Sequence, residues 1–390
     1  MSGVTKKIFQ RDILDIKSMW NEQLKSIQNI LPKDYSESDI VRLLKEYYPH
    51  EWDSVEFKYQ YYQIKDKHLK KKQKKSRYNM NKPEQLLRSL PKYRQIISNK
   101  SVYSKNYSEE TANEFREKLS KKRIPKIERV NRKIELAKAK TQKVEPEFLD
   151  KMIGMYDKKN TSLKDKVYIL NELKKYYNPK IIKFFFKKND TELNKQLRIM
   201  AFKHLQSFNY NPRLRSNKYM VVHAGNKKRK HYLKNIYPNE RYDIPKTPHE
   251  LEYRINNGME QRIKTFDFFI SHSFRDYEII QKLIDYENEK GKNIFCDWIN
   301  DADYLKRHLL CEDTLKVLKK RMDQSKALLF VDSNNSRESD WCKYELNYFK
   351  SLGKPMYVIT LKNIVEDCYS LTPFEDKWYY DIDYNNCNLY

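Results

Sequence analysis

Apolar positions recur at helical spacing over the first two-thirds of the chain and at strand spacing only near its end. Ile13, Ile16, Trp20, Leu24, Ile27 and Leu31 mark one face of a helix over 8–31, which Pro32 stops. A second helix over 38–48 turns Ile40, Val41, Leu43 and Leu44 inward. After Pro49 an aromatic segment from Trp52 to Ile64 predicts a third, which runs into the lysine cluster at 65–75. Residues 76–112 are polar and poorly periodic, so loops are expected there, with one short helix near 84–90. Residues 109–140 predict one long polar helix, kinked or broken at Pro125. Over 147–208 three apolar stripes follow one another. The first carries Leu163, Val167, Leu170 and Leu173; the second follows Pro179 with Ile181, Ile182 and Phe184 to Phe186; the third carries Leu193, Leu197, Met200, Ala201, Leu205 and Phe208.

Beyond residue 262 the pattern changes to short apolar runs alternating with amphipathic helices, as in a doubly wound α/β domain. Strands are expected at 266–271, 294–297, 327–331 and 356–361, with 378–380 as the last. Helices are expected at 277–289, 311–322 and from 340 onward, with Gly291 closing the first. Polar loops are expected at 298–308 and 332–337, and irregular structure over 362–376. Between the two regions, 209–262 reads as a basic connector with turns at Pro238, Pro245 and Pro248, a short strand at 219–222 and a short helix over 251–263.

Charge divides the chain at the same place. Residues 1–264 hold 62 lysines and arginines against 31 acidic residues, whereas 265–390 hold 17 against 22. A lysine-rich composition would raise both halves, so the asymmetry points to different partners for the two. Six glycines in 390 residues and no phosphate-loop fingerprint argue against a nucleotide-binding loop. No apolar run is long enough to span a membrane and the first ten residues lack a signal core, which predicts a cytoplasmic protein. The five cysteines, all from Cys296 onward, are not spaced as metal ligands and read as free thiols.

One stretch gathers the candidate chemistry. Ser339 is a helix N-cap, Cys342, Leu346 and Phe349 share one face, and Trp341 and Glu345 share its neighbour. A carboxylate beside an indole, on a helix just after a parallel strand, stands where open α/β sheets bind ligands. Together with Asp267-Phe268-Phe269-Ile270-Ser271-His272 and Phe295-Cys296-Asp297-Trp298, the Trp341-Cys342-x-x-Glu345-Leu346 motif resembles a TIR (Toll/interleukin-1 receptor) domain, over about 262–390. The resemblance implies a flavodoxin-like fold, a parallel sheet with helices on both faces, joined to a mostly α-helical basic N-terminal region. The expected divisions are a basic helical region at 1–146, a helical bundle at 147–208, the connector at 209–262 and the TIR domain at 263–390. In the bundle, Leu197-Arg198-x-x-Ala201-x-x-x-Leu205 is similar to the second helix of a HEAT-type repeat.

TIR domains divide into scaffolds and enzymes that cleave NAD⁺ between nicotinamide and ribose. Nicotinamide is cationic in NAD⁺ and leaves neutral, so no general acid is needed; one ionised carboxylate can stabilise the ribosyl cation. The resemblance assigns that role to Glu345. Ser271, His272 and Ser273 end the first strand and are candidates to bind ribose or phosphate. Asp297 and Trp298 open a loop that borders the substrate site in the family and mediates stacking. Trp341 either walls the nicotinamide pocket or belongs to the core. Asp301, Asp303, Lys306 and Arg307 are read as interface charges or solvated ones. Neighbouring Ser271 and His272 point to opposite faces of a strand, which excludes a serine nucleophile with a histidine base.

NAD⁺ is then a substrate and no cofactor or metal is expected. The implied function is an NAD⁺ glycohydrolase or cyclase in bacterial anti-phage defence. Assembly through TIR domains follows from it, and the basic N-terminal region senses a phage protein or a nucleic acid. The rival reading is a non-catalytic TIR scaffold whose basic region does the binding.

Overall fold

The computed structural model describes residues 4–210, 228 and 241–375. The expected strands at 219–222 and 378–380, Pro238 and nearly all of the basic connector lie outside these residues. The chain divides into two compact units, one of Met1–Glu135 with Leu205–Pro238, the other of Leu136–His204 with Asn239–Tyr390. The helices of 147–204 thus fall in the same unit as the sheet.

The first unit is helical. α1 (Val4–Ile27), α2 (Glu37–Tyr47) and α3 (Pro49–Gln73) bury Trp20, Leu24, Ile27, Ile40, Leu44, Trp52 and Val55 in one core. Ser36 closes a capping box at the head of α2, and Pro49 occupies the first turn of α3, where its missing N–H costs nothing. The expected loops at 76–112 are instead largely helical: α4 (Pro83–Arg88), α5 (Pro91–Ser98) and α6 (Lys100–Lys105). Pro83 and Pro91 start helices rather than break them. α7 (Glu109–Ala139) runs through Pro125 as one helix, so of the expected kink or break the break does not occur. A proline inside a helix costs about 3 kcal/mol. Arg123 offsets part of that by donating to Tyr47 O at 2.7 Å, pairing with Glu51 at 2.8 Å and stacking over Tyr48.

The second unit combines α8 (Phe148–Asp157), α9 (Leu163–Leu173), α10 (Pro179–Thr191) and α11 (Lys195–Ser207) with an α/β layer. α11 extends past this unit's boundary at His204. The apolar stripes read from the sequence are the buried faces of α9 to α11: Val167, Leu170, Ile181, Phe185, Leu197 and Ala201 are all buried. Leu193 is exposed and precedes the helix. α12 (Pro248–Asn257) and α13 (Met259–Arg262) lead into the sheet.

The sheet contains β1 (Phe266–Ser271), β2 (Ile294–Phe295), β3 (Ser325–Asp332), β4 (Met356–Thr360) and β5 (Thr372–Pro373), in the order β2-β1-β3-β4-β5. The first four are parallel; β5 is antiparallel to β4 and lies where irregular chain was expected. Period-two alternation sends Leu328 and Phe330 of β3 to one face and Leu329 and Val331 to the other. The first face packs on α16 (Glu312–Asp323) and α18 (Asp340–Ser351) through Leu318, Met322, Cys342, Leu346 and Phe349. The second packs on α14 (Tyr277–Glu289) and α19 (Leu361–Val365) through Ile280, Leu283, Ile284 and Ile364. Two polar loops contain short helices, α15 (Asp297–Asn300) and α17 (Asn334–Arg337).

The β2 edge does not face outward unpaired. Gln142 bonds through its backbone to Lys175 O and Tyr177 N, and its side-chain amide reaches Ile294. There the oxygen accepts from Ile294 N at 3.0 Å and the NH₂ donates to Ile294 O and to Asn300 Oδ1. A side-chain amide thus completes the hydrogen bonding of a two-residue strand.

Candidate active site

The chain passes from β1 to β2 on one side, and the next connection, from β2, returns past β1 to β3 on the other. The strand ends part there, and a crevice forms at their carboxyl termini. A cleft of about 550 Å³ occupies this place. Its wall includes His272, Ser273, Asp297, Trp341 and Glu345 from the sequence-based set, with Phe274, Arg275, Asn335, Glu338, Ser339 and several apolar side chains.

Glu345 is carried on the second turn of α18. Ser339 caps that helix by accepting from Cys342 N at 3.4 Å, which fixes the register of the first turn. Cys342, Leu346 and Phe349 anchor the helix in the core, and Glu345 follows them inward to 9% exposure. Ser271, fully buried at the end of β1, donates its hydroxyl to Glu345 Oε2 at 2.7 Å. It therefore faces the carboxyl rather than the open cleft. Burial pushes Glu345 up from the ordinary 4.5 to about 8; the Ser271 bond opposes this and the Asp297 charge adds to it. In the free protein the carboxyl favours its protonated form at neutral pH, unlike the ionised group read from the sequence. A nearby positive charge acts in the opposite direction and favours the carboxylate.

His272 leaves β1 on the face opposite Ser271. Trp298 Nε1–H donates to its Nε2 at 3.0 Å, which requires the tautomer protonated at Nδ1, and Nδ1 lies 3.3 Å from Ile270 O. Trp298 thus holds the histidine and is not itself part of the cleft wall. Trp341 is half-buried, packed against the α18 core and also facing the cleft, so its two readings coincide. Ser273 accepts from Arg275 N at the turn after β1. Asp276 ties that turn to the one after β3, accepting from Ser333 Oγ and Asn335 Nδ2, both at 2.6 Å.

Asp301 corrects a sequence-based expectation. It is neither solvated nor an interface charge but wholly buried, gripped by Arg321 of α16 at 2.8 and 3.2 Å. Arg321 also donates to Gln261 at 2.8 Å. Lys175 lies 2.8 Å from Glu172 and 3.5 Å from Asp301, and Lys264 pairs with Glu172. Three cations thus face two carboxylates in this buried cluster. Glu172 and Asp301 are held ionised, their carboxyls lowered by the surrounding cations despite burial. Burial lowers Lys264; Glu172 opposes this, and the neighbouring Lys175 and Arg321 add to the lowering. Of the other loop charges, Asp303 is exposed and pairs with Lys246 at 2.8 Å, and Lys306 is exposed. The Arg307 side chain lies outside the described residues.

Sequence reasoning missed this cluster, and it missed Asn335 and Glu338 on the cleft wall. The latter two follow the carboxyl end of β3, where the switch-point rule directs attention. Among the described residues no helix is long and apolar enough to cross a membrane.

A doubly wound domain with a buried carboxyl at its switch point is the class that fold and site define. Residues 269–365 match the family described as "Thoeris protein ThsB, TIR-like domain". Over 379 residues the chain is 36% identical to "Putative cyclic ADP-D-ribose synthase TIR2" of Cytobacillus dafuensis, covering 97% of each chain. It is 35% identical over 108 residues to "Probable 3' cyclic ADP-D-ribose synthase ThsB'" of Bacillus cereus (strain MSX-D12). That match spans 27% of this chain and 55% of the relative. No solved structure matches significantly. The chain belongs to the TIR-domain family of the Cytobacillus protein, and its C-terminal part is a ThsB-type TIR domain.

Proposed function

We propose that this protein cleaves NAD⁺ between nicotinamide and ribose and closes the ADP-ribosyl unit on itself, as an effector of Thoeris-type anti-phage defence. The observation that carries the reading is Glu345, buried against Ser271 on the wall of a cleft at the switch point. A scaffold that only stacks has no use for a carboxyl whose charge is penalised by burial. An enzyme that must attract and stabilise a cation does. Both curated relatives are named as cyclic ADP-D-ribose synthases, which supports cyclisation over hydrolysis.

In the proposed reaction the C1′–N1 bond breaks and its electron pair leaves with nicotinamide, which becomes neutral. Positive charge moves to the ribosyl ring. The cationic nicotinamide ring favours ionisation of Glu345, whose carboxylate then faces the developing charge in a dry site, where it acts most strongly. Ser271 steadies one carboxylate oxygen, so the other faces the ribose. A nucleophile elsewhere in the same ADP-ribose closes the ring and gives up its proton to Glu345. His272, Ser273, Asp297 and Trp341 are proposed to line the substrate. Self-association of TIR domains and recognition of a phage component by the basic N-terminal region complete the proposal. A cytoplasmic location suits the free thiols of Cys296, Cys311, Cys342 and Cys368.

The test is incubation of the assembled protein with NAD⁺, with nicotinamide and the ADP-ribosyl product separated chromatographically. A cyclic product supports the reading. Linear ADP-ribose alone limits it to hydrolysis, and absence of nicotinamide under all assembly conditions overturns it.

A further inference from the structure

His272, Cys296 and Asp297 converge on one point although 24 residues of chain separate the first two. The imidazole, the thiol and a carboxylate oxygen all lie within 4.8 Å of one another. His272 Nε2 is 4.0 Å from Cys296 Sγ and 4.0 Å from Asp297 Oδ1. The neighbouring strands β1 and β2 bring them together, which is why spacing along the sequence conceals the group. We propose that these three side chains bind a divalent transition metal of the zinc class.

Four observations support the site. The donors are one thiolate, one imidazole and one carboxylate, the borderline-soft set that suits zinc. His272 Nδ1 faces Ile270 O at 3.3 Å, the backbone contact that orients metal-binding histidines and leaves Nε2 as the ligand. Asp297 Oδ1 is buried with no hydrogen-bond partner among the described residues, although half of that side chain is exposed. His272 and Asp297 line the cleft, so a fourth position opens to solvent or ligand. Tetrahedral zinc ligands stand about 3.3–3.8 Å apart. Closing the present separations to that range takes a shift of 1 Å or less along most of the edges. Binding displaces the Cys296 thiol proton to solvent and forms the sulfur–metal bond. It also releases the Trp298 indole from Nε2, the loss of one neutral hydrogen bond, which is small against the affinity of a thiolate-containing site.

A bound ion, with the thiol proton lost, would add one net positive charge to the wall that carries Glu345, and would therefore oppose seating of the cationic nicotinamide ring there. Only this inhibitory consequence rests on the proposed function; the site does not.

The experiment uses the full chain, reduced and free of metal, titrated with Co²⁺ and then with Zn²⁺. The expected result is a thiolate-to-cobalt charge-transfer band that saturates at one ion per chain and is displaced by Zn²⁺. Cys296→Ser removes the band, His272→Gln and Asp297→Asn weaken binding at least tenfold, and Cys368→Ser leaves it intact. Asp297 is half-exposed, so its variant tests the site even if replacing the buried Cys296 impairs folding. No band, a band that survives Cys296→Ser, or affinity unchanged in both His272→Gln and Asp297→Asn overturns the proposal.

Discussion

The Ser271 hydroxyl and Glu345 Oε2 meet at 2.7 Å across the seam between β1 and α18, joining motifs 74 residues apart. The bond favours the ionised carboxylate against the burial that disfavours it. Ser271→Ala removes that support, so Glu345 titrates higher still. For free wild-type enzyme, kcat/KM for NAD⁺ is expected to rise with pH and level off above about 8. In Ser271→Ala the midpoint moves up by about 0.5–1 pH unit, the equivalent of one hydrogen bond. A pH profile of both proteins checks this, and identical midpoints refute it.

Glu345→Gln keeps the shape and removes the charge. Turnover of NAD⁺ should fall about a hundredfold or more, the loss typical of one strong electrostatic group. Near-normal turnover would remove Glu345 from the mechanism.

The same substitution should stabilise the protein, in a pH-dependent way. The folded state holds the Glu345 proton up to about 8, the unfolded chain only to about 4.5. Between those values the unfolded state binds fewer protons, so stability falls as pH rises; above about 8 the loss is constant. Glu345→Gln escapes this loss. Its advantage over wild type should be small near pH 4.5 and reach on the order of 2–4 kcal/mol above pH 8. Denaturant titrations at both pH values measure it, and an advantage that does not grow with pH contradicts the assignment.

The buried cluster behind the cleft predicts unequal consequences for its cations. Arg321→Met leaves Asp301 inside without its bidentate partner and should cost about 3–5 kcal/mol. Lys264→Met leaves Glu172 paired with Lys175 and relieves a crowded positive charge. It should cost about 1 kcal/mol or less. Equal losses in thermal or denaturant unfolding would contradict the accounting of three cations against two carboxylates.

Assembly supplies another test. If adjoining TIR domains complete one another's sites, specific NADase activity rises with protein concentration. A protein that stays monomeric by light scattering and shows constant specific activity excludes this.

What the sequence reveals here follows from what local pattern encodes. Apolar alternation located β1, β3 and β4, and the Ser339 cap with Cys342, Leu346 and Phe349 placed Glu345 on the correct side of its helix. Asp301, Arg321, Glu172 and Lys264 were invisible because a charged residue in an amphipathic pattern reads as solvent-facing. Only tertiary pairing, across 20 residues for Arg321 and Asp301 and 92 for Lys264 and Glu172, lets such charges go inside. Beyond the short helix expected near 84–90, the helices up to 105 went unread for a related reason: residues 76–112 are polar, and the buried faces with Leu86, Leu87, Tyr93 and Ile96 belong to helices too short to establish a period.

The Gln142 amide on Ile294 bears on how copies of this chain can join. A bare edge strand is a template for another chain, and proteins that open such edges grow into ribbons of continuous sheet. Here the backbone groups of Ile294 are already satisfied by a side chain from the same molecule. The β2 side therefore offers no template, and any filament built from these domains must pass through helices and loops on that flank, as a stack of separate sheets that can come apart again.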